Sequence, residues 1–221
     1  MNPCGRPDCP VPEPAGWPET VELARGSVWW RATRHDPIEL TPPLGSTRFA
    51  PLPDRHHAYL GATRTVSLLE TALHSAAGET PTVYLSFLDT LVVHQVVLDE
   101  TISVADLRDP QLAALGITRD QLVNTTIQHY PCTRWWAARL SDAGYNGIVW
   151  HSRQADLYAQ ANPDGLLADV LQHKPVEIAV LWSPTPTPLF STTGMQLPVL
   201  ENGEPSRLLN ELANLIGAPI E

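Results

Sequence analysis

The sequence predicts an α+β fold. Predicted strands outnumber predicted helices, and the two types follow one another irregularly along the chain. A doubly wound parallel sheet requires regular alternation of strands and helices, so an α+β arrangement is favoured. The 221 residues are enough for one domain with extensions, and they can bury a sizeable core.

The predicted strands are short runs rich in apolar, β-branched and aromatic residues. They cover residues 27–33, 57–61, 83–87, 91–98, 147–150 and 175–182. Proline and glycine dominate residues 37–53, which predicts a loop with at most a short strand near residues 48–49.

The helices are predicted from helical spacing of apolar residues and from signals at their ends. They cover residues 65–77, 109–116, 132–143 and 206–216. Thr65 is the candidate N-cap of the first helix. Asp109 as cap and Pro110 at the first helical position begin the second, which Gly116 ends. Gly144 ends the third.

The chain is predicted to have three parts. Residues 1–20 are rich in proline and lack apolar periodicity, so they are interpreted as an extended arm. Residues 21–183 hold the predicted core. Residues 184–221 form a C-terminal extension with a closing amphipathic helix.

Composition excludes several classes of protein. The chain has 14 basic and 24 acidic residues, a net charge of -10, and Lys174 is its single lysine. This charge disfavours direct binding of nucleic acid. No apolar run approaches the roughly 18 residues of a membrane span, and the N-terminus lacks the apolar segment of a secretory signal. With three cysteines, too few for a disulfide scaffold, we expect a cytoplasmic protein.

Standard cofactor and metal motifs are absent from the sequence. There is no GxGxxG, GxxxxGK[ST], HExxH, GxSxG or CxxC pattern. Cys4 and Cys9 could be half of a zinc site, but no second pair follows them. We therefore expect neither a metal nor a bound cofactor.

Two arginines and a tyrosine in the first third of the chain are candidates for binding chemistry. Arg31 lies inside an apolar strand, where a buried charge needs a partner, although an edge-strand arginine covering a tryptophan explains it equally well. Arg48 lies in the Gly/Ser turn 45–49, which is also typical of a surface loop. Tyr59 lies eleven residues further on, where a core tyrosine is the simpler interpretation.

A carboxylate and a Ser–Arg pair complete the candidates. Glu70 lies in the middle of the first predicted helix with apolar neighbours on both sides, so it is either near the buried stripe or an exposed helix glutamate. Ser152 and Arg153 follow a predicted buried strand and place a hydroxyl and a guanidinium at its carboxyl end.

Together these residue types are those that N-glycosidic cleavage of NAD+ would use. The nicotinamide of NAD+ carries a positive charge, so it can leave without a general acid. One carboxylate is then enough to stabilise the ribosyl cation or to orient a nucleophile. Arginines bind pyrophosphate through paired N–H groups, and an aromatic face can hold the nicotinamide ring.

The order and spacing of these residues resemble the RES domain, the toxin of RES–Xre toxin–antitoxin pairs. The matching segments are VWWR (28–31), GSTRF (45–49), YLGAT (59–63), LLETAL (68–73), ADLRDPQLAALGI (105–117) and GIVWHSR (147–153). The gaps from Arg48 to Tyr59 and from Tyr59 to Glu70 are both eleven residues, as in the family. The chain departs from the family at Ala50, where many members have asparagine, and at Gly61, where the usual residue is alanine.

The resemblance implies an ADP-ribosyltransferase-like fold, a split β-sheet core with flanking helices. It implies depletion of NAD+, by hydrolysis or phosphorolysis, until a helix-turn-helix antitoxin of the Xre type neutralises the toxin. Glu70, Arg31 and Tyr59 would form the catalytic set, with Arg31 on the phosphates and Tyr59 on the nicotinamide side. Arg48 would bind the phosphates, and Ser152 and Arg153 would line the substrate site.

Two other functions stay open at this point. A mono-ADP-ribosyltransferase would use the same site but would transfer ADP-ribose to a macromolecule. A binding module with a decayed site would keep the residues without turnover. The sequence also leaves open whether water or phosphate is the nucleophile, and whether the chain forms a homo-oligomer.

Overall fold

A computed structural model describes residues 16–43, 47–73, 82–156, 176–215 and 217–221. Its centre is an eight-stranded mixed sheet with the strand order β1-β5-β6-β7-β3-β2-β4-β8. The strands are β1 Thr20–Leu23, β2 Val28–Thr33, β3 His56–Gly61, β4 Val92–Leu98, β5 Ile102–Asp106, β6 Gly147–His151, β7 Glu177–Ser183 and β8 Phe190–Pro198. The pairing of β5 with β6 is parallel and the other pairings are antiparallel.

Helices flank this sheet, so the predicted α+β class is observed. They are α1 Arg64–Thr71, α2 Leu85–Leu88, α3 Asp109–Ala114, α4 Arg119–Leu122, α5 Tyr130–Asp142 and α6 Arg207–Leu215. A 3-10 turn at Ile127–His129 precedes α5, and a small hairpin of β9 Leu200–Glu201 and β10 Glu204–Pro205 precedes α6. Within the described part of the chain, no helix is long and apolar enough to cross a membrane.

The sheet separates two hydrophobic cores, because successive side chains of a strand point to opposite faces. The larger core lies on the helical face and includes Val180 and Trp150 of the central strands. The smaller core lies on the other face and includes Leu60 and Ala179. The central strands therefore supply residues to both cores in alternation.

The sheet is split between β2 and β3. These neighbours are joined at a single residue pair, Trp30 with Gly61. Beyond that pair, Thr41 takes the place of β2 and exchanges backbone hydrogen bonds with His57, at 2.8 and 2.9 Å. The loop 37–43 thus enters the gap between the two strands.

Gly61 lets α1 approach this split closely. A Cβ atom at residue 61 would lie 2.5 Å from the backbone nitrogen of Ser67, inside any normal contact distance. The helix begins at Thr63, whose side-chain oxygen accepts a hydrogen bond from the Val66 N–H at 3.1 Å. The missing side chain and the cap together fix where α1 lies over the sheet.

Several predicted elements differ from the observed ones. The strand predicted at 83–87 is wrong, because residues 85–88 form a helical turn and Val83 forms an isolated bridge to Ile220. Its short apolar run fits both periodicities. Strand β8 was not predicted, because its residues are mostly exposed and polar. No strand forms near residues 48–49.

Two helices begin at other residues than predicted. Helix α1 is capped by Thr63 instead of Thr65, and the N-cap residue of α3 is Arg108 instead of Asp109. Strands β1 and β5 were not predicted. Residues 74–77 of the first predicted helix lie outside the described residues, as does most of the predicted arm at 1–20.

Candidate active site

The candidate site is built around a hydrogen bond between Glu70 and Ser152. The Ser152 hydroxyl donates to Oε1 of Glu70 at 2.6 Å. Glu70 projects from the last turns of α1 and is half-buried, while Ser152 directly follows β6 and is fully buried. Residues 82 positions apart in the chain are thus joined on the helical face of the sheet. Both were predicted as site residues, and the structure brings them together.

Local structure fixes the Ser152 hydroxyl. Its backbone N–H donates to the Val176 carbonyl at 2.8 Å, next to strand β7. Its Oγ accepts the Ala155 N–H at 3.1 Å and so caps the helical residues 153–156. The hydroxyl oxygen thus accepts in the cap while its proton is donated to Glu70.

Arg48 lies on a tight turn that is fastened at several points. The Ala50 carbonyl accepts hydrogen bonds from both the backbone N–H and the Oγ of Thr47, each at 2.8 Å. The Thr133 hydroxyl of α5 donates to the Arg48 carbonyl. Ala50 itself is fully buried, so its small side chain is part of the packing of this turn.

The Arg48 guanidinium retains free donor capacity. One terminal N–H group donates to the Thr125 carbonyl at 3.1 Å. The Nε atom is buried and has no hydrogen-bond partner among the residues that the structure describes. A buried N–H without a partner is costly, and an anion beside Arg48 would supply one.

Tyr59 contributes its hydroxyl to the same turn. The hydroxyl accepts the Phe49 N–H at 3.1 Å and shares a hydrogen bond of 2.9 Å with the Thr47 hydroxyl. Burial raises the pKa of Tyr59 to about 12, so the phenol stays protonated. The ring packs edge-on against Trp150, with centroids 6.3 Å apart. The predicted contact of this ring with nicotinamide stays a prediction, and the hydroxyl has a role that the sequence did not indicate.

The candidate site also includes Tyr130, which is not among the residues predicted from the sequence. It is buried at the start of α5. Burial raises the pKa of Tyr130, Arg48 opposes this shift, and the Glu70 carboxylate adds to it. Both charges therefore act on the titration of this phenol. The predicted helix starts at Cys132, two residues after this tyrosine. An earlier predicted start would have placed Tyr130 on the helix.

Arg31 lies on the other side of the split. It shares a strand face with Trp29, a residue of the smaller core. One terminal nitrogen donates to the carbonyl oxygens of Pro37 and Glu39, both at 2.7 Å, and the other reaches Thr41 Oγ at 3.5 Å. Its main contacts are thus to the loop that fills the gap, and the structure does not place it in the Glu70–Ser152 cluster.

Burial affects the charges around Arg31. It lowers the pKa of Arg31 to about 10, and Glu39 and Asp36 counteract the shift. Burial, followed by the charge of Arg31, lowers the pKa of His57 to about 4, so His57 is neutral at physiological pH. Its ring meets Tyr59 edge-on with centroids 6.0 Å apart. His57 therefore lies between the two arginine environments.

The remaining predicted site residues are less defined. Arg153 is exposed at the start of the helical residues 153–156, with its neighbour Ser152 pointing inward. Gly45 and Ser46 of the turn lie outside the described residues, as do Cys4 and Cys9. Among the described residues, no group of three or more His, Cys, Asp or Glu side chains could hold a metal ion.

Comparison with known proteins identifies the family. The model of the RES domain matches residues 28–184, which include all six predicted site residues. A chain in the crystal structure of the M. tuberculosis MbcT–MbcA toxin–antitoxin complex is similar, with a TM-score of 0.59 and 12% identity over 87% of this chain and 92% of that chain.

At this identity the structural likeness shows the fold, and the predicted fold class is confirmed. No curated protein matches the chain. The family model, in contrast, covers well over half of the sequence and includes the Glu70–Ser152 pair. The chain therefore belongs to the RES domain family.

Proposed function

We propose that this chain is the toxin of a toxin–antitoxin pair and that it acts in the cytoplasm by cleaving the nicotinamide–ribose bond of NAD+. The observation that carries the proposal is the oriented carboxylate of Glu70, which accepts a hydrogen bond of 2.6 Å from Ser152. The partly unpaired guanidinium of Arg48 supports it. Membership of the RES domain family and the fold of a chain from a toxin–antitoxin complex support it.

In the proposed reaction, the bond between C1′ of the ribose and N1 of the nicotinamide breaks. The bonding electron pair goes to the ring nitrogen, which loses its positive charge, so nicotinamide leaves as a neutral molecule. The positive charge moves to C1′ and the ring oxygen of the ribose. The Glu70 carboxylate stabilises this cation more strongly than the uncleaved substrate, which is the condition for catalysis.

A nucleophile then adds to C1′. Water gives ADP-ribose and releases a proton to solvent, and inorganic phosphate gives the 1″-phosphate of ADP-ribose. The Ser152 hydroxyl holds Oε1 of Glu70 and so sets the direction of the second carboxylate oxygen. Glu70 can therefore face C1′ or orient the nucleophile without turning its side chain.

The arginines have separate roles in this proposal. Arg48 binds the pyrophosphate, and the anion completes the hydrogen bonding of its buried Nε atom. Arg153, exposed at the edge of the site, adds a second positive charge for the phosphates. In the same proposal Arg31 contacts the phosphates and the ring of Tyr59 lies on the nicotinamide side.

The proposed partner is an antitoxin of the Xre helix-turn-helix type. With a net charge of -10, the chain is poorly suited to bind DNA directly. Binding of an operator would then fall to the antitoxin. Homo-oligomerisation stays an open prediction.

Product analysis tests the proposed reaction. The purified chain is incubated with adenylate-labelled NAD+ with and without phosphate, and small products and labelled macromolecules are separated, with Glu70→Gln as control. Free nicotinamide with ADP-ribose or its 1″-phosphate supports the proposal and identifies the nucleophile. Label on a protein or nucleic acid would instead show the mono-ADP-ribosyltransferase, and NAD+ binding without products would show a binding module.

A further inference from the structure

We propose that Arg119 is a positioning residue that acts on Glu70 through Ser152. It lies on α4, is not among the predicted site residues, and contacts the chain on both sides of Ser152. This inference rests on the proposed function only where activity is measured, because the geometry it describes can be tested without substrate.

Arg119 makes contacts at both ends of the segment that carries Ser152. One terminal nitrogen forms an ion pair of 2.5 Å with Oδ2 of Asp156. The other donates to the carbonyl oxygen of His151 at 3.0 Å. Its Nε lies 3.5 Å from the Asp109 carboxylate. Because a guanidinium is planar, two of its fixed N–H directions set the distance between residues 151 and 156.

The two gripped residues bracket Ser152 directly. His151 ends strand β6 and precedes the serine in the chain. Asp156 donates its backbone N–H to the Ser152 carbonyl at 3.1 Å, and Ala155 donates to the Ser152 hydroxyl at 3.1 Å. A movement of this turn therefore moves the hydroxyl that donates to Glu70.

Arg119 itself is held at the start of α4. Thr118 caps this helix, and Gln121 Oε1 accepts the Thr118 N–H at 2.9 Å in a capping box. Asp109 also approaches Nδ1 of His151 at 3.4 Å. The carboxylates of Asp109 and Asp156 thus face the guanidinium from two different elements.

Partial burial distinguishes this arrangement from an ordinary surface ion pair. The side chains of Arg119 and Asp156 are 25% and 28% exposed, whereas those of the pair Arg207–Glu211 on α6 are 78% and 37% exposed. Exposed pairs contribute little because solvent screens them. The charge-assisted bond to a backbone carbonyl adds directional restraint that a surface pair lacks.

The chemical consequence concerns turnover more than binding. Loss of the Arg119 grip would allow the turn 151–156 to shift and would lengthen the hydrogen bond from Ser152 to Glu70. The carboxylate would then be less well oriented when the positive charge develops at C1′. Arg48 is not part of this turn, so its binding of the pyrophosphate should persist, and KM should change less than kcat although Arg153 moves with the turn.

The test compares Arg119→Gln and Arg119→Lys with Arg207→Gln as the matched control, each in wild type and in Ser152→Ala. Hydrogen exchange of the Ala155 amide and the melting temperature are measured without substrate, and kcat and KM with NAD+. We expect faster exchange at Ala155 and a kcat lower by on the order of tenfold in Arg119→Gln, with a smaller change in KM. Arg119→Lys keeps the charge but cannot span both partners, so it should be intermediate. Arg207→Gln should match wild type.

The double variant gives the decisive comparison. If Arg119 acts through Ser152, Arg119→Gln lowers kcat little further in the Ser152→Ala background. An undiminished tenfold loss in that background, or native exchange and kcat in Arg119→Gln, overturns the inference. Faster exchange at Ala155 in Arg119→Gln, in a protein whose wild type does not turn over NAD+, would refute the proposed function and leave the positioning role standing.

Discussion

Arg31 and Arg48 have similar sequence signals but lie in different environments. Arg31 belongs to the face of the smaller core, is 4% exposed, and donates to the carbonyl oxygens of Pro37 and Glu39. Arg48 lies on the side of Glu70 and Tyr130, is half-buried, and has a buried Nε without a partner among the described residues. Arg31 therefore fastens a loop, whereas Arg48 keeps a buried donor that no described residue uses.

The difference shows what an arginine in an apolar strand can mean. A buried guanidinium needs partners, but backbone carbonyls satisfy it as well as a phosphate does. Which of the two it meets depends on the strand face, and a shift of one residue in register exchanges the faces. If the two sides of the split sheet differ in this way, substitutions on the Arg31 side should affect stability, and substitutions on the Arg48 side should affect catalysis.

The largest expected effect is on the catalytic side. Glu70→Gln keeps the shape of the side chain and removes its charge, so NAD+ turnover should fall by about 10²–10³, or about 2.7–4 kcal/mol, with binding retained. The melting temperature should be unchanged. Turnover at the native rate in a folded Glu70→Gln protein would remove the catalytic assignment.

His57, between the two arginine environments, should make stability depend on pH. Its pKa is about 4 in the folded protein, against an ordinary value of 6.5. Between these values the unfolded chain binds a proton that the folded chain does not, so the stability contribution is complete above pH 6.5 and is lost as pH falls towards 4. The effect amounts to at most about 3 kcal/mol.

Denaturant titrations at pH 7 and pH 4 measure this effect. His57→Gln should reduce the loss of unfolding free energy between the two pH values, and the variant of an exposed histidine, His35→Gln, should not. Equal pH dependence in wild type and His57→Gln would show that this histidine is solvated in the folded state.

Exchanging each arginine for lysine tests the comparison itself. Lysine keeps the charge and loses the planar pair of donors. Arg31→Lys should lower the unfolding free energy by about 1–3 kcal/mol, with activity following the folded fraction. Arg48→Lys should raise KM for NAD+ by a similar free energy with little change in melting temperature. If Arg31→Lys raises KM in a protein of native stability, Arg31 contacts the phosphates as the sequence predicts.

The smallest effect is expected at Tyr59. Tyr59→Phe keeps the ring but leaves the Phe49 N–H without its acceptor, which should cost about 1 kcal/mol of stability and weaken the Arg48 turn. Tyr84→Phe, which changes an exposed tyrosine, serves as the control. Tyr59→Ala should lose more, because it also removes the packing on Trp150. Equal KM values in Tyr59→Phe and wild type would leave the ring alone as the functional part.

Much of the fold was accessible from the sequence because its central elements carry strong local signals. The runs that became β2, β3, β4, β6 and β7 are apolar or β-branched, and α5 and α6 were predicted within two residues of their ends. Strand β8 could not be found in this way. Its exposed serine, threonine and glutamine side chains have no alternating pattern, and its pairing with β4 alone defines it.

The sequence singled out Glu70 and Ser152 as candidates but could not predict the contact between them. Spacing placed Glu70 on a helix and Ser152 after a strand, and the resemblance linked them to one function. Their contact at 2.6 Å depends on how α1 crosses the sheet. The separation of Arg31 from Arg48 depends on the single pairing of β2 with β3, which no local pattern encodes.

Because Gly61 has no Cβ atom, α1 lies close to the sheet, and this sets the distance of the Glu70 carboxylate from the strands. A chain with alanine at this position has to carry its helix farther from the strand, since the added Cβ would meet the Ser67 backbone. A substitution at position 61 would therefore move the Glu70 carboxylate while leaving the charge, size and rotamers of the glutamate unchanged. The length of the hydrogen bond from Ser152 to Glu70 could thus be altered from position 61 without changing either residue of the pair.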